Sequence, residues 1–431
     1  MKKTHIAPLS GCRASVSVQG DKSISHRAII MGSLAKGTTR VKNMLEAGDT
    51  LNTVKIYREL GVKIEKKGKD YLIHGRGLFS LREPAKVLYA GNSGTSIRLN
   101  LGVLAAQNFT SVITGDAQIE KRPMRRVILP LSEMGAKFES NNGLAPVTVH
   151  GGALHGITYK MPMASAQVKS AILLAALHAD STTVIVEKQG SRDHTEKMLS
   201  YFGADIRIKN GRITVKPGTE LRGSRVFVPG DISSAAYFIV AGAMLKNSKI
   251  TVKDIGINPT RTGLLTVLKK MGARIRITNL RKMNNEPVGD IVASTSGLSG
   301  TAVKGAIIPT LIDEIPVIAI AAAFAKGKTV IAGAGELRVK ETDRIKTVVA
   351  NLRRMGVRAE EQEDGMVIYG NAGRPFKYAA IDSFGDHRIA MAFSIAALSG
   401  ENGLLIKDIE CVNTSFPDFF KIVAGLRGKK K

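Results

Sequence analysis

The sequence predicts an α/β protein made of six repeats, three in each of two domains, with buried helices inside and strands outside. The main observation is a short polar phrase followed by an apolar helix, which recurs along the whole chain. The phrases begin at Asp21, Asn92, Ser165, Asp231, Asp313 and Asp386, at intervals of 71, 73, 66, 82 and 73 residues. Self-similarity at a nearly constant spacing indicates an internal repeat.

The helix that follows each polar phrase is apolar on nearly every face, so we expect it to be buried all round. These helices are predicted at 28–34, 97–106, 171–176, 235–245, 317–325 and 389–398. A run rich in β-branched residues follows each helix and predicts a strand. These runs are 38–41, 110–114, 182–186, 250–252, 329–331 and 403–406.

A second helix in each repeat is amphipathic. In the fifth repeat its apolar face consists of Ile345, Val348, Val349, Leu352 and Met355. In the first five repeats this helix runs into a glycine, which we predict to be the left-handed residue that ends it. The glycines are Gly61, Gly135, Gly203, Gly272 and Gly356.

A hairpin follows in most repeats. Asn210-Gly211 lies between two alternating runs and predicts a two-residue turn, and Asn142-Gly143 and Asp364-Gly365 mark equivalent turns. In the fourth repeat we expect instead a longer, less regular insertion over 279–301. The sixth repeat lacks a hairpin of its own, and the unassigned segment 6–18 is the predicted donor.

This donation predicts an inserted domain, 21–229, and a discontinuous domain formed by 1–20 plus 230–431. The chain would then cross between the domains near Gly20 and near Pro229, and two crossings at one place predict a hinge. Helices that point the same way in both domains would direct six N-termini at one cleft. Each N-terminus stabilises an anion by only ~0.3–1 kcal/mol, so neighbouring Lys and Arg side chains must do most of the binding.

Composition narrows the classes of partner. The 431 residues include 63 Lys plus Arg against 36 Asp plus Glu, a formal charge of +27 that attracts nucleic acid, acidic lipid or phosphorylated metabolites. Cys12 and Cys411 are the only cysteines, which excludes a disulfide framework and a zinc site of the CxxC kind. Residues 1–10 have no apolar signal region, and the helix near 315–325 is too short to span a membrane. We therefore expect a cytoplasmic protein without membrane partners.

Eight motifs occur in order along the chain: 20-GDKSISHR, 91-GNSGT, 121-KRPM, 163-MASAQ, 192-RDHT, 258-NPTR, 338-RVKETDR and 386-DHR. Together they resemble the 5-enolpyruvylshikimate-3-phosphate synthase family over essentially the whole length. The resemblance implies an enolpyruvyl transferase-like, two-domain inside-out α/β barrel that closes on its substrates. It also implies transfer of the enolpyruvyl group of phosphoenolpyruvate to the 5-hydroxyl of shikimate 3-phosphate, with release of phosphate and without a metal or cofactor. This step belongs to chorismate and aromatic amino acid biosynthesis.

The resemblance also implies the site residues. Contacts to shikimate 3-phosphate are expected from Lys22, Ser23, Arg27, Ser165, Ala166, Gln167, Arg192, Asp313 and Lys340. Contacts to phosphoenolpyruvate are expected from Lys22, Gly94, Arg122, Gln167, Arg344 and Arg388. Ala166 departs from the many relatives that have a second serine there. These motifs resemble the class that includes glyphosate-tolerant members, which favours tolerance. Gly94, however, adds no methyl group that would crowd the inhibitor, so we expect glyphosate to inhibit and the tolerance to be only partial.

The reaction needs a proton delivered to the methylene of the enol and another removed from the attacking hydroxyl. Two carboxylates in different environments can share that work. Our hypothesis is that Asp313 acts as base near the 5-hydroxyl, while Glu341 and Lys22 exchange the methylene proton. Arginines would neutralise the phosphates and carboxylates and hold the reactants together.

Simpler interpretations exist for several of these residues. Asp21, Asp231 and Asp386 also fit ordinary helix N-caps. Glu341 and Arg344 also fit a solvated pair three residues apart on a helix. His26, His194 and His387 lack metal-ligand spacing and are expected to be structural hydrogen-bonding groups.

Two other functions compete with this one. Enzymes that transfer enolpyruvyl to UDP-N-acetylglucosamine have a loop cysteine before the Arg-Pro segment, and 115–121 contains none. A basic nucleic-acid-binding repeat protein would also explain the charge, but aromatic residues are only 5% and no helix-turn-helix, zinc or RNP pattern occurs. We expect no specific nucleic acid partner and a monomeric enzyme.

Overall fold

The computed structural model describes residues 2–188 and 190–427. The chain divides into two compact units: unit 1 is Met1–Gln19, Gly230–Arg281 and Pro287–Lys431, and unit 2 is Gly20–Pro229 and Lys282–Glu286. The main breaks lie at 19/20 and 229/230. The segment 282–286, which the sequence analysis left in the discontinuous domain, belongs to unit 2.

The α-helices are α1 (Lys22–Leu34), α2 (Gly48–Glu59), α3 (Gly94–Leu104), α4 (Arg125–Glu133), α5 (Ala166–Ala176), α6 (His194–Tyr201), α7 (Ile232–Met244), α8 (Gly263–Lys270), α9 (Ile315–Phe324), α10 (Arg344–Arg354), α11 (His387–Ala397) and α12 (Phe419–Gly425). Short 3-10 helices occupy Gly305–Thr310, Ile312–Glu314, Gly335–Val339 and Ile409–Thr414.

The strands of unit 2 are β3 (Lys36–Lys42), β4 (Lys63–Lys67), β5 (Asp70–Arg76), β6 (Leu88–Tyr89), β7 (Thr110–Thr114), β8 (Lys137–Asn141), β9 (Leu144–His150), β10 (Thr158–Lys160), β11 (Thr183–Val186), β12 (Ile206–Lys209), β13 (Arg212–Val215) and β14 (Arg225–Phe227). The remaining strands are β1 (Lys3–Ile6), β2 (Arg13–Ser17), β15 (Lys249–Gly256), β16 (Arg274–Met283), β17 (Glu286–Ser294), β18 (Ala302–Val303), β19 (Lys326–Ile331), β20 (Arg358–Gln362), β21 (Gly365–Asn371), β22 (Ala380–Asp382) and β23 (Leu404–Lys407).

The first helix of each repeat lies in the core of its unit. Helices α1, α3 and α5 are buried along most of their length in unit 2, and α7, α9 and α11 are buried in the same way in unit 1. An apolar helix without a polar face has to pack on all sides, and here its neighbours are other such helices and the inner faces of sheets. The predicted inside-out α/β arrangement is therefore confirmed.

Among the described residues, the first five repeats each form a four-stranded sheet with the same strand order. In unit 2 the orders are β6-β7-β9-β8, β10-β11-β13-β12 and β14-β3-β5-β4. The first strand of each sheet runs parallel to its neighbour, and the other pairs are antiparallel. β14 comes from the end of the third repeat and pairs with β3 of the first repeat. The sheet of the first repeat is therefore completed by a strand from the same unit.

Unit 1 is completed by the N-terminal segment, but differently from the prediction. β1 pairs antiparallel with β23 in the sheet of the sixth repeat, as a donated strand should. β2 does not join it, since it pairs in parallel with β15 in the sheet of the fourth repeat. The predicted donation of a whole hairpin to the sixth repeat was wrong, and that sheet has three strands.

Most local turn signals in the sequence correspond to the backbone, but the turn predicted at Asp364-Gly365 was wrong: Gly365 begins β21, and the turn is Glu363-Asp364. The five glycines after the amphipathic helices all have positive φ, between 79° at Gly356 and 98° at Gly135. Only glycine adopts this conformation without a steric penalty, so each ends its helix as predicted. In the fourth repeat the expected irregular insertion was wrong, because β16 and β17 form a long hairpin. Its turn is Asn284-Asn285, with both φ angles positive.

No helix in the described ranges 2–188 and 190–427 is long and apolar enough to cross a membrane.

Candidate active site

In unit 2, polar side chains cap the three core helices at their N-termini. The side chain of Asp21 accepts a hydrogen bond from the amide of Ile24 at 2.9 Å, which confirms the N-cap interpretation. Ser93 and Ser165 cap α3 and α5 in the same way. The first residues of these helices therefore include several predicted contacts, namely Lys22, Ser23, Gly94, Ala166 and Gln167.

The N-terminal turns of α3 and α5 are joined by side-chain hydrogen bonds. Arg98 Nη1 donates to Gln167 Oε1 at 2.7 Å, and Gln167 Nε2 donates to Thr95 Oγ1 at 3.2 Å. A Cβ atom placed on Gly94 would lie 2.9 Å from Arg98 Nη1 and 3.6 Å from Arg122 Nη1. The structure thus brings together three of the residues predicted for phosphoenolpyruvate: Gly94, Arg122 and Gln167.

Arg27 connects α1 to α5 and α6. Its Nε donates to Thr195 Oγ1 at 2.7 Å, and its Nη2 donates to Ser170 Oγ at 2.8 Å. The third bond runs from Nη1 to the carbonyl of Ser23 at 2.9 Å. Burial lowers the pKa of Arg27 to about 10, with Glu196 opposing that effect, so the guanidinium is charged at neutral pH.

The other predicted contacts of unit 2 are partly exposed. Ser165, Ala166 and Arg192 are intermediate in exposure, as are Lys22 and Ser23. Lys22 Nζ lies 3.1 Å from Asp49 Oδ2. The two side chains are 29% and 14% exposed, so the ammonium group remains partly accessible to an anionic ligand.

In unit 1, Asp313 lies between two arginines. Its carboxylate oxygens are 3.9 Å from Arg344 Nη1 and 3.9 Å from Arg388 Nη2. Arg388 Nη1 also donates to the backbone carbonyl of Asp313 at 3.0 Å. Burial alone would lower the pKa of Arg388, but the surrounding acidic groups, Asp313 foremost, raise it, so this guanidinium stays charged.

Glu341 joins the same cluster through Arg344. Their atoms Oε2 and Nη2 are 2.6 Å apart, but the side chain of Arg344 is only 1% exposed and Glu341 precedes α10. The alternative of a solvated pair on a helix was therefore wrong. Asp313, Glu341, Arg344 and Arg388, which the sequence separates by up to 75 residues, are neighbours in unit 1.

Lys340 is directed elsewhere. Its Nζ pairs with Glu336 Oε1 at 2.7 Å. Because Glu336 is 61% exposed in this pair, the interaction is weak and Lys340 can leave it for a phosphate. Its role as a contact to shikimate 3-phosphate stays a prediction.

Glu314 and Arg261 are buried charged residues beside this cluster, and the sequence analysis gave neither a role. Ser233 Oγ donates to Glu314 Oε1 and accepts from Arg261 Nη2 at 2.7 Å. Burial raises the pKa of Glu314, and Arg261 and Arg388 only partly offset this. An acidic residue directly before the apolar helix α9 was the available signal.

His26 and His194 have structural hydrogen-bond partners, as expected. His26 Nδ1 lies 2.8 Å from Thr53 Oγ1, and His194 Nδ1 lies 2.7 Å from Glu286 Oε1. Within the described part of the chain, no group of three His, Cys, Asp or Glu side chains is arranged to hold a metal ion. Asp231 and Asp386 cap α7 and α11, which confirms the cap interpretation for both.

Comparisons with known proteins show the family of the chain. The family model described as EPSP synthase (3-phosphoshikimate 1-carboxyvinyltransferase) matches residues 6–423. The 3-phosphoshikimate 1-carboxyvinyltransferase of Thermoanaerobacter sp. (strain X514) is 53% identical over 407 residues, which cover 94% of this chain and 96% of the relative. That of Petrotoga mobilis is 50% identical over 430 residues, covering 99% of each chain.

A solved structure gives the same result for the fold. The EPSP synthase from Acinetobacter baumannii superposes with a TM-score of 0.91 at 44% sequence identity, over 98% of each chain. Three observations lead to the same assignment. A family model matches nearly the whole chain, the sequences of the relatives are about 50% identical to it, and the solved structure has the same fold. The chain belongs to the EPSP synthase family and is a 3-phosphoshikimate 1-carboxyvinyltransferase.

Proposed function

We propose that the residues gathered in the two units act on one pair of substrates during transfer of the enolpyruvyl group from phosphoenolpyruvate to shikimate 3-phosphate. The observation that carries this proposal is the position of Asp313. Its carboxylate is partly exposed, at 18%, and is flanked by Arg344 and Arg388. The carboxylate is thus placed to accept a proton from a hydroxyl group bound beside it, and the partly exposed Arg388 lies within reach of an anionic substrate.

We assign the binding of shikimate 3-phosphate mainly to unit 2. In unit 2 the contacting groups are the N-terminal residues of α1 and α5, together with Arg27 and Arg192. In unit 1 they are Asp313 and Lys340. Helix N-termini and guanidinium groups are both suited to phosphate. We assign phosphoenolpyruvate to Lys22, Gly94, Arg122 and Gln167 in unit 2 and to Arg344 and Arg388 in unit 1.

The chemistry then follows in two steps. In the first step the oxygen of the 5-hydroxyl group bonds to C2 of the enol, and Asp313 accepts the hydroxyl proton. Glu341 with Lys22 delivers a proton to the methylene. In the second step the C2–O bond to phosphate breaks, and the leaving phosphate takes the proton held by Asp313. The methyl group returns a proton to Glu341 with Lys22, which restores the double bond. The side chain of Glu341 is 26% exposed, so a substrate group can reach it, and the bond to Arg344 fixes its position.

Phosphate release is the measurement that tests the proposal. The purified protein should release phosphate when phosphoenolpyruvate and shikimate 3-phosphate are both present, and not with either alone. Replacing shikimate 3-phosphate by UDP-N-acetylglucosamine should abolish release. Equal release with the nucleotide sugar would overturn the assignment of the acceptor.

We further propose that the enzyme acts in the cytoplasm as a monomer and that glyphosate inhibits it by competing with phosphoenolpyruvate. The support for a monomer is that the sheets of both units are completed by strands of the same chain. Sedimentation at micromolar protein concentration should give the mass of one chain, and a dimer mass would contradict this.

A further inference from the structure

Lys169 is a buried cation in an otherwise apolar part of α5. Its side chain is 1% exposed, and Nζ lies 2.7 Å from Glu187 Oε2 and 2.7 Å from Glu196 Oε1. It also donates to the backbone carbonyl of Ser191 at 3.4 Å. One ammonium group thus holds three oxygens from separate positions along the chain.

These oxygens surround the segment that carries Arg192. Glu187 follows β11, Glu196 lies in the first turn of α6, and Ser191 directly precedes Arg192. Ser191 Oγ also donates to Glu187 Oε1 at 2.6 Å. The backbone on both sides of Arg192 is therefore tied to α5 through Lys169.

The next residue of α5 extends this arrangement to Arg27. Ser170 Oγ lies 2.6 Å from Thr195 Oγ1, and both hydroxyls receive hydrogen bonds from Arg27. Thr195 belongs to the same turn of α6 as Glu196, whose charge favours the ionised form of Arg27. Consequently Lys169 and Ser170 together set the positions of two arginines expected to contact shikimate 3-phosphate.

Stability alone is a weak reason to have such a cluster. Taking three charges out of water is costly, and replacing a buried ion cluster by apolar residues of similar volume is often neutral or stabilising. Hydrogen-bonded ion pairs are directional, whereas apolar contacts are not. The ion cluster therefore fixes the orientation of each segment that is attached to it.

We propose that Lys169 is a positioning residue of the shikimate 3-phosphate subsite, acting through Ser191 and Glu196 on Arg192 and Arg27. The inference rests on the proposed function of that subsite. Lys169 does not itself touch substrate, so its loss weakens the binding of one substrate and leaves the reacting groups in place.

The test compares Lys169→Met with the wild-type enzyme by steady-state kinetics and by calorimetric titration of shikimate 3-phosphate. We expect the KM and the Kd for shikimate 3-phosphate to rise about tenfold, while the KM for phosphoenolpyruvate and kcat stay within about twofold. Since Lys169→Met leaves two carboxylates buried, the double variant Lys169→Met with Glu196→Gln provides a second protein with less unpaired charge. It should show the same selective loss.

Val149→Ala is the matched control, because Val149 is fully buried in β9 of the same unit. It should lower the thermal stability without changing either KM. The inference is overturned if shikimate 3-phosphate binds the two Lys169 variants as tightly as wild type, or if both KM values rise together in proportion to lost stability. Failure of the wild-type enzyme to turn over shikimate 3-phosphate would instead overturn the proposed function.

Discussion

Arg344 and Asp386 form a buried ion pair in which Nε lies 2.7 Å from Oδ2 and Nη2 lies 3.3 Å from Oδ1. Both side chains are almost fully inaccessible. Burial pushes the pKa of Asp386 upward, but the adjacent Arg344 outweighs it and holds that pKa below its ordinary value. Asp386 also caps α11 at the amide of Arg388. One carboxylate therefore orients two arginines that flank Asp313.

Asp386→Asn tests this relationship. Asparagine still caps a helix, but it removes one of the two carboxylates that bond to the buried Arg344 and leaves Glu341 as the remaining close counter-charge. We therefore expect a loss of about 2 kcal/mol in the free energy of unfolding. The KM for phosphoenolpyruvate should rise about tenfold, since both arginines lose their alignment. Urea unfolding and initial rates measure the two effects.

Asp343→Asn is the control for this variant. Asp343 caps α10 and pairs with Arg338, but both side chains are about 30% exposed (31% and 28%). It should lose less than about 1 kcal/mol. Equal losses in the two variants would contradict the importance of the buried pair.

Asp313→Ala is expected to reduce turnover by on the order of 10²–10⁴, because it removes the proposed general base. Binding of both substrates should stay within about tenfold, since Arg344 and Arg388 remain. Stopped-flow phosphate release and equilibrium titration separate the two quantities. A variant with nearly normal turnover would exclude Asp313 as the base.

Acid should destabilise the protein through His26. Burial lowers the pKa of His26 to about 3, from an ordinary value of 6.5. Below pH 6.5 the unfolded chain therefore binds a proton that the folded protein rejects. Stability that is complete above pH 6.5 falls by about 1.4 kcal/mol per pH unit as the pH drops toward 3.

His26→Gln should remove this component, because glutamine can bond to Thr53 and does not titrate. Its free energy of unfolding, measured in urea at pH 7, 6, 5 and 4, should fall less steeply than that of the wild type. Val149→Ala, which changes no titratable group, should lower the stability at every pH and leave the wild-type slope nearly unchanged. If His26→Gln also follows the wild-type slope, acid sensitivity arises elsewhere.

Gly94→Ala should weaken both phosphoenolpyruvate and glyphosate. The added methyl group would lie 2.9 Å from Arg98 Nη1, which is held by Gln167, so the guanidinium has to move. We expect the KM for phosphoenolpyruvate and the inhibition constant of glyphosate to rise several-fold each. Gly48→Ala, at the first residue of α2 with open space around it, is the control. Tighter inhibition of Gly94→Ala would contradict the steric argument.

Sequence reasoning recovered the features that depend on a few neighbouring residues. The helix caps at Asp21 and Asp231, the left-handed glycines and the Asn210-Gly211 turn are local, and each formed as predicted. The alternation of apolar helices with strand-like runs was also sufficient for the inside-out arrangement. Together with the ordered motifs, these patterns located the repeats and the residues that the structure gathers in each unit.

Features set by distant contacts were missed or misread. β2 has the same strand pattern whichever sheet receives it, and only packing places it beside β15. The spacing of Glu341 and Arg344 is typical of a solvated pair. Arg344 is buried instead because it bonds to Asp386, which lies 42 residues further along the chain. Lys169 was passed over because one charge in an apolar helix does not reveal which carboxylates it will meet.

The closing of the sixth sheet has a consequence for protein synthesis. Strand β1 pairs Lys3 with Lys407, so this segment leaves the ribosome long before its partner exists. Unit 2 obtains β14 from its own stretch of chain and does not have to wait in this way. During translation, residues 3–6 must therefore remain without their partner strand while nearly the whole polypeptide is made, and the last sheet to form receives one of the first segments synthesised.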